Sequence, residues 1–280
     1  MIVDFHTHTF PDRIAAGALQ KMQGDSHTRT FSDGTGTGLM ASMKAAGIHR
    51  SVVLPVATNP AKVASINDVS LSLTGKNGLI YFGCIHPDGD GWYQELGRIA
   101  QAGLKGIKIH PVYQGVDIDD IRFLRILERC AELDLTVVTH AGDDIGFPGV
   151  VRCSPEMIRR ALSQLPPMKL VLAHMGGWRN WDNVTDQLGD TCACLDTAFS
   201  LGQLAALEEH WYTPQQRSLL DGEQFCGIVR SFGAERVLFG TDSPWTSQKQ
   251  SREDIENLPL TQEEKAAILG GNACRLLGLA

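Results

Sequence analysis

Eight short, almost continuous apolar runs divide this chain, and helix-like stretches lie between them. The runs span residues 2–6, 51–56, 79–85, 106–109, 135–138, 170–173, 192–195 and 237–239. A strand that is apolar at successive positions is typical of a parallel sheet that is buried on both faces. Eight strand–helix units in 280 residues match the usual size of a (β/α)₈ barrel. We therefore predict an α/β fold, a single (β/α)₈ TIM-barrel domain covering residues 1–280.

The helical segments between the runs are marked by apolar periodicity and by glycine and proline at their ends. We expect helices at residues 39–46, 60–73, 93–102, 119–133, 215–232 and 263–277, and another that begins at Pro155. Gly47 is a predicted C-cap, and residues 32–38 form a predicted flexible loop inside a long connection after the first strand. An open doubly wound sheet is the alternative. It would need a glycine-rich phosphate loop, and the sequence contains neither G-x-G-x-x-G nor a P-loop.

Composition restricts the partners that we expect. The formal net charge of −7 does not favour nucleic acid or an anionic membrane. No apolar run approaches the roughly 18 residues of a membrane span, and the first strand leaves no room for a signal peptide. The seven scattered cysteines fit reduced thiols. We expect a cytoplasmic protein that acts on a small molecule, with a homodimer as an open alternative.

Histidines are concentrated at the ends of the predicted strands. Six of the nine histidines lie there, namely His6, His8, His86, His110, His140 and His174. Asp242 follows the eighth run. His6 and His8 are two residues apart and should leave the same face of a strand, about 7 Å apart. The C-terminal strand ends form the active-site face of a barrel, and imidazole and carboxylate groups are standard ligands for Zn²⁺ or a similar ion.

Five motifs at strand ends carry a resemblance to a known family. They are Asp4-Phe5-His6-Thr7-His8, Gly106-Ile107-Lys108-Ile109-His110-Pro111, Thr139-His140-Ala141-Gly142, Leu172-Ala173-His174-Met175-Gly176-Gly177 and Phe239-Gly240-Thr241-Asp242-Ser243-Pro244. In these motifs the whole chain resembles the amidohydrolase superfamily. It is most similar to the amidohydrolase-related group, which includes TIM-barrel hydrolases and aminocarboxymuconate-semialdehyde decarboxylase-like enzymes.

The resemblance implies a set of site residues. One divalent ion per chain, Zn²⁺ or another such as Mn²⁺, would be held by His6, His8, His140 and Asp242. His174 would act on the substrate as a base or an oxyanion donor, and Asp242 could also transfer a proton. These roles are expectations that follow from the family likeness.

Four further residues are predicted to bind substrate: Lys108, His110, Arg179 and Trp245. Two alternative roles stay open for Lys108. Lysines at this strand are carboxylated and bridge two metals in binuclear relatives, and Lys108 could also simply pair with an acid. Aromatic walls and a guanidinium suit a small planar or carboxylated substrate. Ordinary rim packing is the alternative for Arg179 and Trp245. His86 is assigned a structural role.

The leading prediction for function is a metal-dependent hydrolase that attacks a small, carboxylated or cyclic substrate with a metal-activated water. A metal-dependent non-oxidative decarboxylase, a carboxy-lyase of the aminocarboxymuconate-semialdehyde type, is the alternative with the same ligands. A barrel-type nuclease is disfavoured, because such enzymes resemble one another in a glutamate where this chain has His86 and His110. A non-catalytic metal-binding protein is the remaining alternative.

Overall fold

The structure is a computed structural model that describes residues 1–279. Within this range the chain forms nine strands, each two to five residues long. They are β1 (Val3–Thr7), β2 (Arg50–Val53), β3 (Leu79–Tyr81), β4 (Gly83–Cys84), β5 (Gly106–Ile109), β6 (Thr136–Thr139), β7 (Leu170–Leu172), β8 (Cys194–Asp196) and β9 (Val237–Leu238). Each predicted apolar run contains a strand, and the third run is divided into β3 and β4 at Phe82.

Helices fill most of the intervals between these strands. The α-helices are α1 (Asp12–Ser26), α2 (Gly36–Ala46), α3 (Val63–Leu73), α4 (Trp92–Gln101), α5 (Pro111–Gln114), α6 (Ile121–Glu132), α7 (Pro155–Leu162), α8 (Val184–Leu188), α9 (Pro214–Arg217), α10 (Gly222–Phe232), α11 (Gln248–Asn257), α12 (Gln262–Ala266) and α13 (Asn272–Leu277). Short 3₁₀ turns occur at Pro60–Lys62, His174–Gly176, Trp181–Asn183 and Ala234–Arg236, and a π-helical turn at Ala267–Gly271. None of the helices in residues 1–279 is long and apolar enough to cross a membrane.

One compact unit comprises Met1–Val53 and the chain from Asp196 to its C-terminal end. In this unit β1 pairs with β2 in parallel, with Asp4 opposite Ser51. The other edge of β1 meets the end of β9, where the Phe5 amide donates to the Phe239 carbonyl at 2.7 Å. All five residues of β1 are buried. The polar side chains of β1 therefore need hydrogen-bond partners inside the protein.

The second unit, Leu54–Leu195, contains a run of parallel strands in the order β4-β5-β6-β7-β8. Ile109 of β5 pairs with Thr139 of β6, and Thr139 pairs with Leu172 of β7. Because these strands are in register, the residues that follow them emerge at one end of the sheet. This register places the histidines after β5, β6 and β7 side by side.

Each predicted helical segment contains helix in the structure, but several helix boundaries differ from the prediction. The long connection after β1, for which no helix was predicted before residue 39, contains α1, and α2 begins at Gly36 inside the predicted flexible loop. The Thr35 side chain accepts from the Gly38 amide, so a cap stabilises a glycine-containing first turn. The predicted C-cap at Gly47 is confirmed by its left-handed backbone.

The predicted long helix over residues 215–232 is in fact two helices. A capping box begins the second one, since Asp221 accepts from the Gln224 amide and Gln224 reaches back to the Asp221 amide. The predicted last helix, residues 263–277, is likewise interrupted by the π-helical turn. In α6 the predicted apolar face is buried at Leu124, Ile126 and Leu127, whereas Ile121, at the first position, is exposed.

Candidate metal centre

Three ligand-type side chains converge in the first unit at the ends of β1 and β9. His6 lies near the end of β1, His8 directly follows β1, and Asp242 follows β9. The Nε2 atoms of the two histidines are 3.1 Å apart. Asp242 Oδ1 lies 3.4 Å from His6 Nε2 and 3.1 Å from His8 Nε2. Of the ligands predicted from the sequence, the structure thus brings these three together.

The spacing of these atoms fits a bound divalent ion. Two ligand atoms at roughly 2.0–2.1 Å from one tetrahedral ion are about 3.3–3.4 Å apart. The three observed separations lie close to that value. Two imidazole nitrogens and a carboxylate oxygen are all electron-rich, so a cation between them would offset their mutual repulsion. The residues present therefore fit Zn²⁺ or a similar ion.

A buried carboxylate sets the orientation of His6. Asp196 Oδ2 lies 2.7 Å from His6 Nδ1, and both side chains are almost completely buried. The carboxylate acts as acceptor, so Nδ1 carries the proton and Nε2 keeps its lone pair toward the cluster. A carboxylate–histidine pair of this kind fixes the tautomer and raises the basicity of a metal ligand.

Asp196→Asn should weaken metal binding without unfolding the protein. The amide keeps an oxygen for Nδ1–H but loses the charge that makes the imidazole a better ligand, and outer partners of this type typically contribute about 10–100-fold in metal affinity. Chelator competition with Zn²⁺ measures the change. Asp221→Asn is the matched control, because asparagine is an equally good N-cap for α10. Equal Kd values for both variants would remove Asp196 from the centre.

The backbone of Asp242 adopts a left-handed conformation, with φ of +63°. Its amide donates to the His6 carbonyl at 2.8 Å, and the His8 amide donates to the Ser243 carbonyl at 2.7 Å. Non-glycine residues in this region of φ are uncommon and need support from their surroundings. The pairing with β1 supplies that support and holds Asp242 beside the two histidines.

The second unit contains a separate cluster of His110, His140 and His174. His174 Nε2 lies 3.1 Å from His140 Nδ1, and His140 Nε2 lies 3.0 Å from the Asp143 carbonyl oxygen. A carbonyl can only accept, so His140 Nε2 carries the proton and Nδ1 accepts from His174. Burial, followed by the neighbouring His110 and His174, holds the pKa of His140 well below its usual range. The lowered pKa favours the neutral form of the His140 imidazole.

Asp144 adds a carboxylate to this cluster. Its Oδ2 is 3.3 Å from His110 Nε2 and 3.9 Å from His140 Nε2. The His110 and His140 rings are stacked, with centroids 4.3 Å apart and planes only 16° from parallel. His110, His140 and Asp144 thus form a second group of side chains that could hold a metal ion. Imidazole lone pairs lie in the ring plane, so two stacked rings suit one ion less well than the arrangement of His6, His8 and Asp242. The role of His140 as fourth ligand stays a prediction.

The four predicted substrate-binding residues occupy different environments. Lys108 is buried within β5, with 1% of its surface exposed. His110 follows it at the strand end, in edge contact with the Tyr113 ring. The Arg179 guanidinium lies 4.8 Å from the centroid of the Trp178 ring. Trp245 is partly exposed, and its amide donates to the Asp242 carbonyl at 2.8 Å. Their contact with a substrate stays a prediction.

Sequence reasoning gave no role to three acidic residues that the structure places at these clusters: Asp196, Asp144 and Asp4. The available signal was their position, since Asp196 ends β8, Asp144 closely follows β6 and Asp4 precedes His6 in β1. Burial raises the pKa of Asp4 to about 7, while hydrogen bonds from Gln248, Thr241 and the His6 backbone act in the opposite direction.

Positive backbone φ angles occur at three of the predicted site residues. Among residues 1–279, His174, Arg179 and Asp242 are three of the eight non-glycine residues with positive φ. Strained backbone of this kind concentrates at functional sites. It is set by tertiary packing, so the sequence alone could not have identified it.

Comparisons with known proteins identify a matching family and a curated relative. The pattern of the amidohydrolase family matches residues 3–279. The 2-amino-3-carboxymuconate-6-semialdehyde decarboxylase of Dictyostelium discoideum is 28% identical over 213 residues, which is 66% of this chain and 57% of that protein. The chain thus matches less than two thirds of the length of this relative.

Two solved structures share the fold. An uncharacterised TIM-barrel protein from Bordetella bronchiseptica has a TM-score of 0.75 at 19% identity, covering 99% of this chain and 98% of the other. The 5-carboxyvanillate decarboxylase of Novosphingobium aromaticivorans, solved with manganese and 4-hydroxy-3-methoxy-5-nitrobenzoic acid, has a TM-score of 0.72 at 14% identity, covering 100% and 96%. The predicted (β/α)₈ barrel is thereby confirmed. With the strand-end motifs and the family pattern over residues 3–279 in agreement, this chain belongs to the amidohydrolase family.

Proposed function

We propose that this protein is a divalent-metal-dependent, non-oxidative decarboxylase of a small unsaturated or aromatic carboxylic acid. The observation that carries the metal dependence is the convergence of His6, His8 and Asp242, with ligand atoms 3.1–3.4 Å apart. The choice of reaction is supported by the relatives, since both the curated relative and one of the two structural neighbours described above are decarboxylases. This order reverses the sequence-based prediction, in which hydrolysis came first.

Zn²⁺ and Mn²⁺ are the ions that we propose for the centre. Two imidazoles and a carboxylate suit Zn²⁺, and His140 is predicted to be the fourth residue that would hold the ion. When bound, such an ion supplies Lewis-acid polarisation of substrate oxygens. Asp196 keeps His6 in the tautomer that binds metal.

Substrate recognition is assigned to the predicted cationic and aromatic residues. A carboxylate substrate needs compensation of its charge, and the Lys108 ammonium and Arg179 guanidinium can provide it. His110 would donate a hydrogen bond, and Trp245 would cover one face of a planar substrate. Because Lys108 is almost completely buried, an anion close to it would be shielded from water and its attraction strengthened.

Decarboxylation also requires a proton. When the carbon–carboxylate bond breaks, the electron pair stays on the substrate carbon and CO₂ leaves, so one proton must be added to that carbon. We assign this transfer to His174, because an imidazole ring nitrogen can donate a proton to the substrate carbon. Its hydrogen bond with His140 fixes the orientation of the ring. Asp242 is the alternative proton donor.

The experiment that tests the reaction follows both products. The purified protein, loaded with Zn²⁺ or Mn²⁺, is incubated with 2-amino-3-carboxymuconate-6-semialdehyde and a panel of hydroxybenzoates and aromatic lactones. A decarboxylase releases CO₂, and in D₂O it gives a product with a single deuterium where the carboxylate was. Asp242→Asn protein is the negative control.

Hydrolysis has a different signature. A hydrolase would give products heavier than the substrate by one water, without CO₂, and activity confined to the lactones would establish the second candidate instead. Metal-loaded protein that releases no CO₂ from any acid in the panel would contradict the proposed reaction for that substrate class.

A further inference from the structure

Asp4 makes an unusually complete set of hydrogen bonds beneath the metal centre. It lies in β1 two residues before His6 and is fully buried. Its Oδ1 accepts from the amides of His6 at 3.2 Å and Thr241 at 3.0 Å. Its Oδ2 accepts from Thr241 Oγ1 at 2.6 Å and Gln248 Nε2 at 2.7 Å. One carboxylate therefore joins the two segments that carry the ligands.

The residues on both sides of Asp242 are held by the Asp4 carboxylate, either directly or through Thr241. Thr241, the preceding residue, is held to Asp4 through its amide and its hydroxyl. The same hydroxyl accepts from the amide of Ser243, the following residue, at 3.1 Å. Asp242 between them has a positive φ, a conformation that persists only where the surroundings impose it. The position of the Asp242 carboxylate thus follows from contacts that Asp4 organises.

Gln248 extends the network away from the centre. Its side chain, fully buried at the start of α11, donates to Asp4 Oδ2 and also approaches Ser51 Oγ at 3.3 Å. Both of these partners belong to paired strands, Asp4 to β1 and Ser51 to β2. The carboxylate is consequently fixed by the sheet and by α11, so it can act as a rigid reference for the ligand segments.

We propose that Asp4 is a positioning residue that sets the spacing between His6 and Asp242 for metal binding. The inference rests on the metal centre in the proposed function, and it adds a residue that touches neither metal nor substrate. A residue with this role should affect metal affinity, whereas a residue that serves stability alone should not.

The test uses Asp4→Asn with the full-length protein. Asparagine cannot accept from all four donors, because its amide group would face Thr241 Oγ1 and the Gln248 amide. We expect the Kd for Zn²⁺, measured by chelator competition, to rise about 10–100-fold, as for other groups that orient metal ligands. Urea unfolding in EDTA measures the loss of stability separately.

Asn67→Ala is the matched control in the second unit. Asn67 is also fully buried, and it hydrogen-bonds the Cys84 amide at 2.8 Å, the Cys84 carbonyl at 3.1 Å and Glu95 at 2.7 Å. Its replacement should lower the urea midpoint and leave the Kd for Zn²⁺ unchanged. Thr241→Val is a second test variant if Asp4→Asn does not fold. It removes a single hydroxyl, and we expect a rise in Kd near the lower end of that range, about tenfold.

Wild-type Zn²⁺ affinity in folded Asp4→Asn, or in Thr241→Val if only that variant folds, would overturn the positioning role. The proposed reaction fails separately, when wild-type protein binds Zn²⁺ but releases no CO₂. The contrast in Kd between Asp4→Asn and Asn67→Ala would then still support the role of Asp4. Wild-type protein that binds neither Zn²⁺ nor Mn²⁺ would overturn both proposals.

Discussion

Asp242→Asn should lose its bound metal and its turnover while the protein remains folded. The substitution removes the single anionic ligand of the His6–His8–Asp242 cluster. Asparagine tolerates the left-handed backbone at this position better than other residues, so the fold should survive. We expect metal content to fall from about one ion per chain to a small fraction. Turnover should fall at least about 10³-fold, because Lewis-acid stabilisation worth several kcal/mol is lost.

His8→Ala is the companion variant, and elemental analysis after dialysis is the measurement. His8 is a better choice than His6, because removing His6 would also leave the buried Asp196 without its 2.7 Å partner and so add a cost in stability. His27→Ala is the control. It removes an imidazole that stacks on Trp211, outside both clusters, and should leave metal content unchanged. Asp242→Asn protein with normal metal content would exclude Asp242 as a ligand.

His174→Asn should separate metal binding from chemistry. The variant cannot exchange a proton near neutral pH, and removal of an acid–base group typically costs about 10²–10⁴-fold in rate. Asparagine suits the positive φ of residue 174. We expect normal metal content with turnover reduced by that factor, and the same kinetic measurement gives KM and kcat separately.

His86→Asn is the matched control for His174→Asn. Both histidines follow strands of the second unit, and each has 5% of its surface exposed. His86 accepts from the Asp88 amide at 3.2 Å and is predicted to have a structural role, so its replacement should leave turnover close to normal. A parallel loss of metal and activity in His174→Asn would make His174 a ligand. Unchanged activity would leave Asp242 as the proton donor.

The predicted metal ligands do not distinguish hydrolysis from decarboxylation. Both reactions use a metal that polarises a substrate oxygen, and they differ in whether a water attacks or a carboxylate leaves. His6, His8 and Asp242 serve either reaction equally well. The preference for decarboxylation in the proposed function rests on the relatives with that activity, because a ligand motif contains no information about the substrate.

Much of the fold could be predicted from local sequence. Each strand is a continuous apolar run, and such a run has few alternatives to a parallel strand buried on both faces. The end of α2 at Gly47 could also be predicted from local sequence, because glycine adopts the left-handed C-cap conformation at little cost. Helix boundaries such as the capping box at Asp221 were missed, because side-chain caps compete with a periodicity that continues across them.

For the site, the sequence by itself determined which residues stand at strand ends, since His6, His8 and Asp242 adjoin apolar runs that can only be strands. The tertiary structure decided how those residues are oriented. Asp4 accepts from the Thr241 amide across 237 positions of the chain, and Asp196 pairs with His6 across 190 positions. Such pairings depend on strand order and register, and a hydrogen bond between distant segments leaves no periodic signal in the chain. The candidate ligands could therefore be proposed from the sequence, whereas Asp4 and Asp196, the carboxylates that hydrogen-bond to their segments, could be found only once the strands were paired.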